Sequence, residues 1–162
     1  MKERIRYNIV GCDKMERVII RISSRQITPE GEIVFEHSSS SVGHRHKKAD
    51  MTIVRYPENP DSGLGDTVTV LKWSGDRLVV VRSGDVESRQ EFVVGLHKTG
   101  LYCTPHGNFE LDYETLQLAS EQHQGSLTLS VVFGSSIGAA PQQVTNLRIE
   151  IEEDIAWKSK MN

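Results

Sequence analysis

Apolar and polar residues alternate strictly along three stretches of the chain. These are "NFELDYETL" at 108–116, "SLTLSVVF" at 126–133 and "NLRIEIEED" at 146–154. In the second stretch, Leu127, Leu129 and Val131 share one side, and Thr128 and Ser130 take the other. A repeat of two residues is typical of a strand with one buried face, and no 3.6-residue helical repeat fits it. The pattern therefore predicts an antiparallel sheet with one face in water.

The rest of the chain carries shorter apolar runs, separated by residues that favour turns. The connectors are "TPEG" at 28–31, "SGD" at 74–76 and 83–85, "TPHG" at 104–107 and "GSSIGAAP" at 134–141. Glycine, proline, asparagine, aspartate and serine in such short clusters indicate tight turns between strands. The pattern predicts ten strands, near 17–28, 31–41, 50–56, 66–73, 77–83, 88–94, 98–104, 107–118, 125–134 and 143–153.

A single open sheet of about ten strands has two exposed edges, which promote aggregation unless the sheet closes. We therefore expect an all-β fold in which one antiparallel meander closes into a β-barrel of about 8–10 strands. A two-sheet β-sandwich is the alternative. The strand pattern places the barrel domain at 15–155, between a peripheral N-terminal extension at 1–14 and a C-terminal tail at 156–162.

Composition narrows the class of protein. Among 162 residues, 19 Lys and Arg stand against 22 Asp and Glu, so the net charge of −3 offers no general attraction to nucleic acid or acidic membranes. The two cysteines, Cys12 and Cys103, are too few for a disulfide framework and are expected to be reduced. No apolar run approaches the roughly 18 residues that span a bilayer. The sequence predicts a cytoplasmic protein with no membrane partner.

The glycines of two turns have a structural explanation. In "TPHG", Pro105 sets φ for a turn, and Gly107 supplies a positive φ after it. Gly84 in the second "SGD" does the same between two strands. A phosphate-binding loop would need its glycines between a strand and a helix N-terminus, and no helix is predicted here. These turns are expected to shape hairpins.

The same region resembles a known family. "VVVRSGDVESRQEFVVG" at 79–95 and "GLYCTPHGNFEL" at 100–111 are similar to the motif block of the bacterial DUF1934 family. The resemblance covers roughly 16–155 and implies a calycin-like, lipocalin-type β-barrel without an established activity. This chain departs from the pattern in its N-terminal extension and in a longer loop at 57–65. The motif positions are Arg82, Ser83, Gly84, Phe92, Gly95, Tyr102, Thr104, Pro105 and Gly107, of which all but Arg82, Phe92 and Tyr102 are read as structural.

Arg82 is the most informative polar residue for a ligand site. If Leu78 and Val80 face inward, Arg82 shares their phase and enters the barrel near its end, where its charge needs a partner or a ligand. If Val79 and Val81 face inward instead, Arg82 lies on the surface. Gln90 and Phe92 share a phase on the following strand and are expected to meet it. The candidate ligand-binding residues are Arg82, Gln90, Phe92 and Tyr102.

A basic stretch, "GHRHKK" at 43–48, is the second candidate surface. His44 and His46 are two residues apart, so a strand would place both rings on one face, as two ligands of a zinc site. A third ligand is not evident, and the interleaved positive charge opposes cation binding, so no metal is predicted. Stacking aromatics are scarce, which disfavours nucleic acid. The stretch is predicted to be a basic contact patch formed by His44, Arg45, His46, Lys47 and Lys48.

Catalytic patterns are weak throughout. No serine lies in a G-x-S-x-G elbow, and Cys103 with His106 has neither an orienting partner nor an oxyanion hole. No catalytic residue and no cofactor are predicted, and a binding role is favoured over an enzyme. The first hypothesis is a noncatalytic protein that holds a small apolar or amphipathic ligand in the barrel lumen or mouth. The alternative is an interaction module with a plugged barrel that contacts protein or RNA through its outer surface. The oligomeric state is left open.

Overall fold

The computed structural model describes residues 15–138, 140 and 142–156. The predicted extension at 1–14, with Cys12, lies outside these residues, as does all of the predicted tail except residue 156. The division into extension, barrel and tail therefore stays a prediction. Cys103 is a free thiol.

Ten strands make up the described part of the chain, and eight of the ten predicted strands agree with observed ones to within three residues at both ends. A 3-10 turn, Pro60–Ser62, interrupts the loop after the third strand. The strands are β1 (Glu16–Ile27), β2 (Ile33–Lys48), β3 (Met51–Pro57), β4 (Thr67–Trp73), β5 (Leu78–Gly84), β6 (Glu87–Phe92), β7 (His97–Thr104), β8 (Gly107–His123), β9 (Ser126–Ile137) and β10 (Gln143–Glu153).

The strands form one closed barrel. Each strand pairs antiparallel with its neighbours in the chain, and β1 also pairs with β10, from Val18 opposite Glu153 to Ile27 opposite Val144. The predicted meander barrel is confirmed, and the sandwich alternative is wrong. Closure is consistent with the alternation, because most strands have one apolar face that only the inside of the barrel can bury.

Inward apolar side chains fill the lower part of the barrel, the end away from the turn at 84–87. Leu129, Val131, Ile149 and Ile151 are buried there, in the phase that the alternation predicts. Three rings, Phe92, Tyr113 and Phe133, pack together with centroids 4.9 to 6.5 Å apart. Such contacts between rings stabilise the core beyond the area they bury.

β2 is the strand whose predicted bounds differ most from the structure. It continues past residue 41 to Lys48, so "GHRHKK" forms its lower end and one arm of the hairpin that joins β2 to β3. Gly43 and Arg45 point inward in that segment. The strand pattern was hidden because a glycine and an arginine occupy core-facing positions, where alternation normally shows apolar residues.

Two places in the barrel have incomplete strand pairing. β6 and β7 share only two residue pairs, Glu87 with Cys103 and Ser88 with Tyr102. Below them, Glu91 bridges the strands by accepting a hydrogen bond from Lys98 at 2.5 Å and pairing with Arg77. The Lys98 hydrogen bond lowers the pKa of Glu91. The second place is the upper half of β2, which pairs with β1 but meets β3 only from His44 onward.

Candidate ligand site at the upper end of the barrel

The two motif turns lie at the same end of the barrel. Because β5 to β8 are consecutive antiparallel strands, the turn after Gly84 and the turn after Thr104 both connect strands at one end, here called the upper end. The long loop between β3 and β4 also lies there, since the main chain of Asp85 donates to the carbonyl of Asp66 at 3.0 Å. The upper end therefore gathers most of the residues that carry the family resemblance, whereas Phe92 and Gly95 lie toward the lower end.

The structure places Arg82 in the inward phase of β5. Leu78 and Val80 belong to the core cluster, and Arg82 follows in the same alternation. The alternative, with Val79 and Val81 facing the core, is wrong. Arg82 is half-buried at the upper limit of the packed core, and the triple valine concealed its direction in the sequence.

Arg82 belongs to a row of inward positions that runs across six strands. The middle of the row is polar, and both of its ends are aromatic. It consists of Tyr56, Thr69, Arg82, Ser88, Tyr102 and Phe109, each paired with the next on the adjacent strand. We call it the upper row.

Arg82 has fewer partners than its burial demands. One of its terminal nitrogens donates to Gln90 Oε1 at 3.2 Å, as expected from the sequence. Its Nε and the hydroxyl of Ser88, the residue directly opposite, are both buried without a hydrogen-bond partner. Within the described part of the chain, no carboxylate forms an ion pair with Arg82. Buried donors are nearly always paired, so these two groups indicate a place for water or a bound group.

Tyr56 on β3 and Thr69 on β4 form the end of the upper row next to Arg82. The hydroxyl of Thr69 donates to Glu58 Oε2 at 2.5 Å. Burial raises the pKa of Tyr56 well above its usual value, the negative charge of Glu58 raises it further, and the charge of Arg82 lowers it. Tyr56 is therefore neutral at physiological pH, and its ring ends the row on the β3 side, next to Thr69.

We expect the raised pKa of Tyr56 to appear as a stability loss in alkali. Tyrosine in an unfolded chain ionises near a pKa of about 10, whereas folded Tyr56 holds its proton longer. Above a pH of about 10 the folded state binds more protons than the unfolded state, so stability falls as pH rises, and the contribution is complete below that pH. Urea unfolding at a series of pH values should give a steeper alkaline decline for the parent than for Tyr56→Phe. Equal slopes would contradict the prediction.

The other two predicted ligand residues that we consider, Tyr102 and Phe92, lie at different depths in the barrel. Tyr102 lies in the upper row beside Ser88. Phe92 does not line the upper end, because it is only 1% exposed and packs between Tyr113 and Phe133. Its role as a ligand contact is therefore corrected to that of a core residue. Alternation in the sequence places Phe92 on the same face of the strand as Gln90, but it does not show how far Phe92 lies from the barrel mouth.

The motif glycines adopt the backbone conformations expected of turns. Gly84, Gly95 and Gly107 have φ of +137°, +86° and +139°. The hydroxyl of Thr104 donates to the carbonyl of Gly107 at 2.9 Å and accepts from the main chain of His106 at 3.1 Å, across Pro105. Ser83 is exposed on the outside of β5. These interactions shape the hairpins on which the upper row depends.

The structure divides the basic stretch between two faces of β2. His44, Lys47 and Lys48 are exposed, and His46 is partly covered. Arg45 is only 3% exposed and pairs with Glu16 at 3.4 Å and Glu153 at 3.9 Å at the lower end of the barrel. Arg45 is therefore corrected from a surface contact to a buried ion-pair residue. Among the described residues, no group of three or more potential ligands is placed to hold a metal.

A cleft of about 720 Å³ lies over four adjacent strands, β2, β1, β10 and β9. Eight of its twelve lining residues face away from the core, so the cleft follows the outer surface of the barrel. Sequence reasoning missed it because it depends on strand register. The lining forms three cross-strand rows, Ser38–Ser23–Arg148–Ser130, His37–Ser24–Leu147–Val131 and Glu36–Arg25–Asn146–Val132.

Comparison with known proteins gives one consistent family. A model of the family described as "Domain of unknown function (DUF1934)" matches residues 20–149. The uncharacterized beta-barrel protein YwiB of Bacillus subtilis (strain 168) is 27% identical over 112 residues, which are 69% of this chain and 78% of that protein. The crystal structure of the ywiB protein from Bacillus subtilis superposes with a TM-score of 0.75 at 22% identity, covering 90% of this chain and 97% of that one. That likeness shows a shared fold. In the part of the chain that is described, no helix is long and apolar enough to cross a membrane.

Proposed function

The chain belongs to the DUF1934 family, whose description carries no activity, and from this premise we propose that it is a noncatalytic binding protein whose upper barrel end holds a small amphipathic anion. The observation that carries the proposal is the pair of buried, unpartnered donors on Arg82 and Ser88. A carboxylate or phosphate oxygen satisfies both and neutralises the guanidinium. The cytoplasmic location expected from the sequence stays part of this proposal.

The rest of the upper row suits the apolar part of such a ligand. Phe109 lies three strands from Arg82, a separation of about 14 Å from the usual strand spacing. Phe109 and Ile137 belong to the inward phase, yet Phe109 is 41% and Ile137 46% exposed. Apolar side chains left accessible at a barrel mouth favour an apolar ligand group. Because the lower barrel is packed, we place the ligand at the mouth and not deep in the lumen.

Replacing Arg82 with methionine should weaken anion binding and leave the fold intact. Methionine is close to the arginine stem in volume, and removing a half-buried charge without an acidic partner costs little stability. We expect the dissociation constants of decanoate and decyl phosphate to rise by roughly 10- to 150-fold, equivalent to about 1.5 to 3 kcal/mol for lost charged hydrogen bonds. Isothermal titration calorimetry measures the change, and decanol provides an uncharged probe of the same length.

Arg89→Met is the matched control. Arg89 lies one strand away on β6 but is exposed on the outer face, so its removal should leave binding unchanged. Native mass spectrometry of protein purified from its own host is an independent measurement. We expect the parent to retain an anionic molecule and Arg82→Met to lose it. The proposal fails if both anions bind no more tightly than decanol, or if the two arginine variants lose affinity equally.

The second candidate function is an interaction module that uses its outer surface. The observations in its favour are the apolar packing of the lower barrel and the position of the large cleft, which lies outside the barrel. The cleft is lined mainly by polar residues, including Arg25 paired with Glu36 at 3.3 Å. Arg148→Glu, which reverses the charge of a residue that lines the cleft, should reduce capture of a protein or RNA partner under this hypothesis, with anion binding at the upper end unaffected.

A further inference from the structure

Arg55 on β3 and Arg89 on β6 extend from the outer face of the barrel. Both are exposed, whereas the next residue on each strand, Tyr56 or Gln90, is buried. The two arginines belong to one cross-strand row, which consists of His44, Arg55, Val70, Val81 and Arg89. Three strand spacings separate the two arginines, a distance of about 14 Å along the sheet. We call these five residues the arginine row.

The two arginines of this row lack the acidic partners that most other arginines have. In the described part of the chain, no carboxylate lies within ion-pair distance of Arg55 or Arg89. Apart from these two and Arg82, every described arginine forms an ion pair with a carboxylate, and the paired residues are Arg17, Arg21, Arg25, Arg45, Arg77 and Arg148. Since Arg82 belongs to the candidate ligand site, the other two unpaired arginines indicate a second place where positive charge is left for a partner outside the chain.

The surroundings of the arginine row add to its positive charge. Lys72, one row closer to the lower end, is exposed and forms no ion pair with any other described residue. Glu91 is the acidic side chain of that lower row, but Arg77 and Lys98 already pair with it. The face is therefore positively charged, although the chain as a whole has a net charge of −3.

The middle of the arginine row is apolar. Val70 and Val81 stand between the two arginines and are partly exposed, and Ile53 lies beside Lys72 in the row below. No outward position of β3 to β6, which the structure describes in full, has an aromatic ring on which a base could stack. Nucleic-acid interfaces are more uniformly positive, whereas protein interfaces combine an apolar centre with a charged rim. The chemistry of the face therefore favours a protein partner over RNA.

We propose that this face binds an acidic segment of another protein, with two carboxylates about 14 Å apart and apolar side chains between them. Each carboxylate pairs with one arginine, whose planar guanidinium suits a bidentate contact. The apolar side chains cover Val70 and Val81. The arginine row shares no residue with the upper row or with the outer cleft, so this proposal depends on neither of them.

Fluorescence anisotropy with three labelled probes tests the chemistry of the partner. The first is a peptide of repeating Glu-Leu-Leu-Glu units, the second has serine in place of each leucine, and the third is an oligouridylate of the same number of units. At a salt concentration of about 150 mM, which screens exposed charges, we expect the leucine peptide to bind at least about tenfold more tightly than either of the others. Equal binding of the serine peptide, or tighter binding of oligouridylate, would overturn the proposal.

Charge reversal in the arginine row tests the position of the surface. Arg55→Glu and Arg89→Glu should each raise the dissociation constant of the leucine peptide by about tenfold, because each places a carboxylate opposite a carboxylate. Arg148→Glu is the matched control, since it makes the same charge change at an exposed arginine on β10 and should leave peptide binding unchanged. Arg82→Met should also leave it unchanged, which separates this surface from the ligand at the upper row.

Circular dichroism confirms that each variant is folded. Equal losses for Arg55→Glu and Arg148→Glu would show that the peptide responds only to the charge of the whole protein, and the proposal would then fail. A parent that does not bind the leucine peptide at concentrations up to about 1 mM would contradict it as well.

Discussion

Gly84→Ala should lower the free energy of unfolding by at least about 3 kcal/mol, and Gly107→Ala by only about 1 to 2 kcal/mol. The two glycines have nearly the same backbone conformation, with φ of +137° and +139°. They differ in the space around them. A Cβ on Gly84 would lie closer than 3.0 Å to the carbonyl oxygen of Asp66, whereas a Cβ on Gly107 would meet only the Phe109 ring, at 3.9 Å.

The comparison separates two costs of replacing a glycine. Gly107→Ala measures the strain of a positive φ alone, and the excess for Gly84→Ala measures the overlap with the β3–β4 loop. Urea unfolding at neutral pH gives both values. Gly100→Ala serves as the baseline, since its Cβ would have 3.7 Å to the nearest atom and its φ is not positive. If Gly84→Ala cost no more than Gly107→Ala, the close approach to Asp66 would have no energetic role.

Phe92→Ala should destabilise the barrel by about 3 to 5 kcal/mol, the usual range for removing a fully buried aromatic ring. The ring packs against Tyr113 and Phe133. Its loss leaves a cavity that the strands cannot fill, because the hydrogen bonds of the closed barrel hold them in place. Thermal or urea unfolding measures the change.

Phe109→Ala is the control for the same chemical change. Phe109 is 41% exposed at the mouth, so we expect its loss to cost about 1 kcal/mol or less. Anion binding should respond in the opposite order, with Phe109→Ala weakening decanoate binding and a folded Phe92→Leu leaving it unchanged. A similar stability loss for both alanine variants would show that Phe92 is not the core residue described above.

The barrel was predictable from the sequence because each strand repeats one rule. The alternation of Leu127, Leu129 and Val131 with polar residues indicates an inward face. The turn residues between strands indicate where the chain reverses. The rule failed at Arg45, because a buried arginine is tolerated there through its ion pairs with Glu16 on β1 and Glu153 on β10, which alternation along β2 alone does not reveal. Such a pairing depends on the register of β1, β2 and β10 together.

The candidate site was predictable only in part. Alternation along β5 and β6 predicted that Arg82 and Gln90 face inward and meet, and they form a hydrogen bond. Ser88 did not, since a serine on an alternating strand carries no signal of burial until its opposite residue is known. The outer cleft was hidden for the same reason, because its rows join residues more than 100 positions apart, such as Ser23 with Arg148. Local pattern determines which face a residue takes, and register determines which residues meet.

The pairing of β1 with β10 also shapes how the protein is made. Each strand pairs with its neighbours in the chain, and such local hairpin contacts form rapidly. β1 can close the barrel only after β10 has been synthesised, more than 100 residues later. Until then the nascent sheet has two open ends that can associate with other chains, so a pause in translation before residue 143 prolongs the period in which a chaperone is most useful.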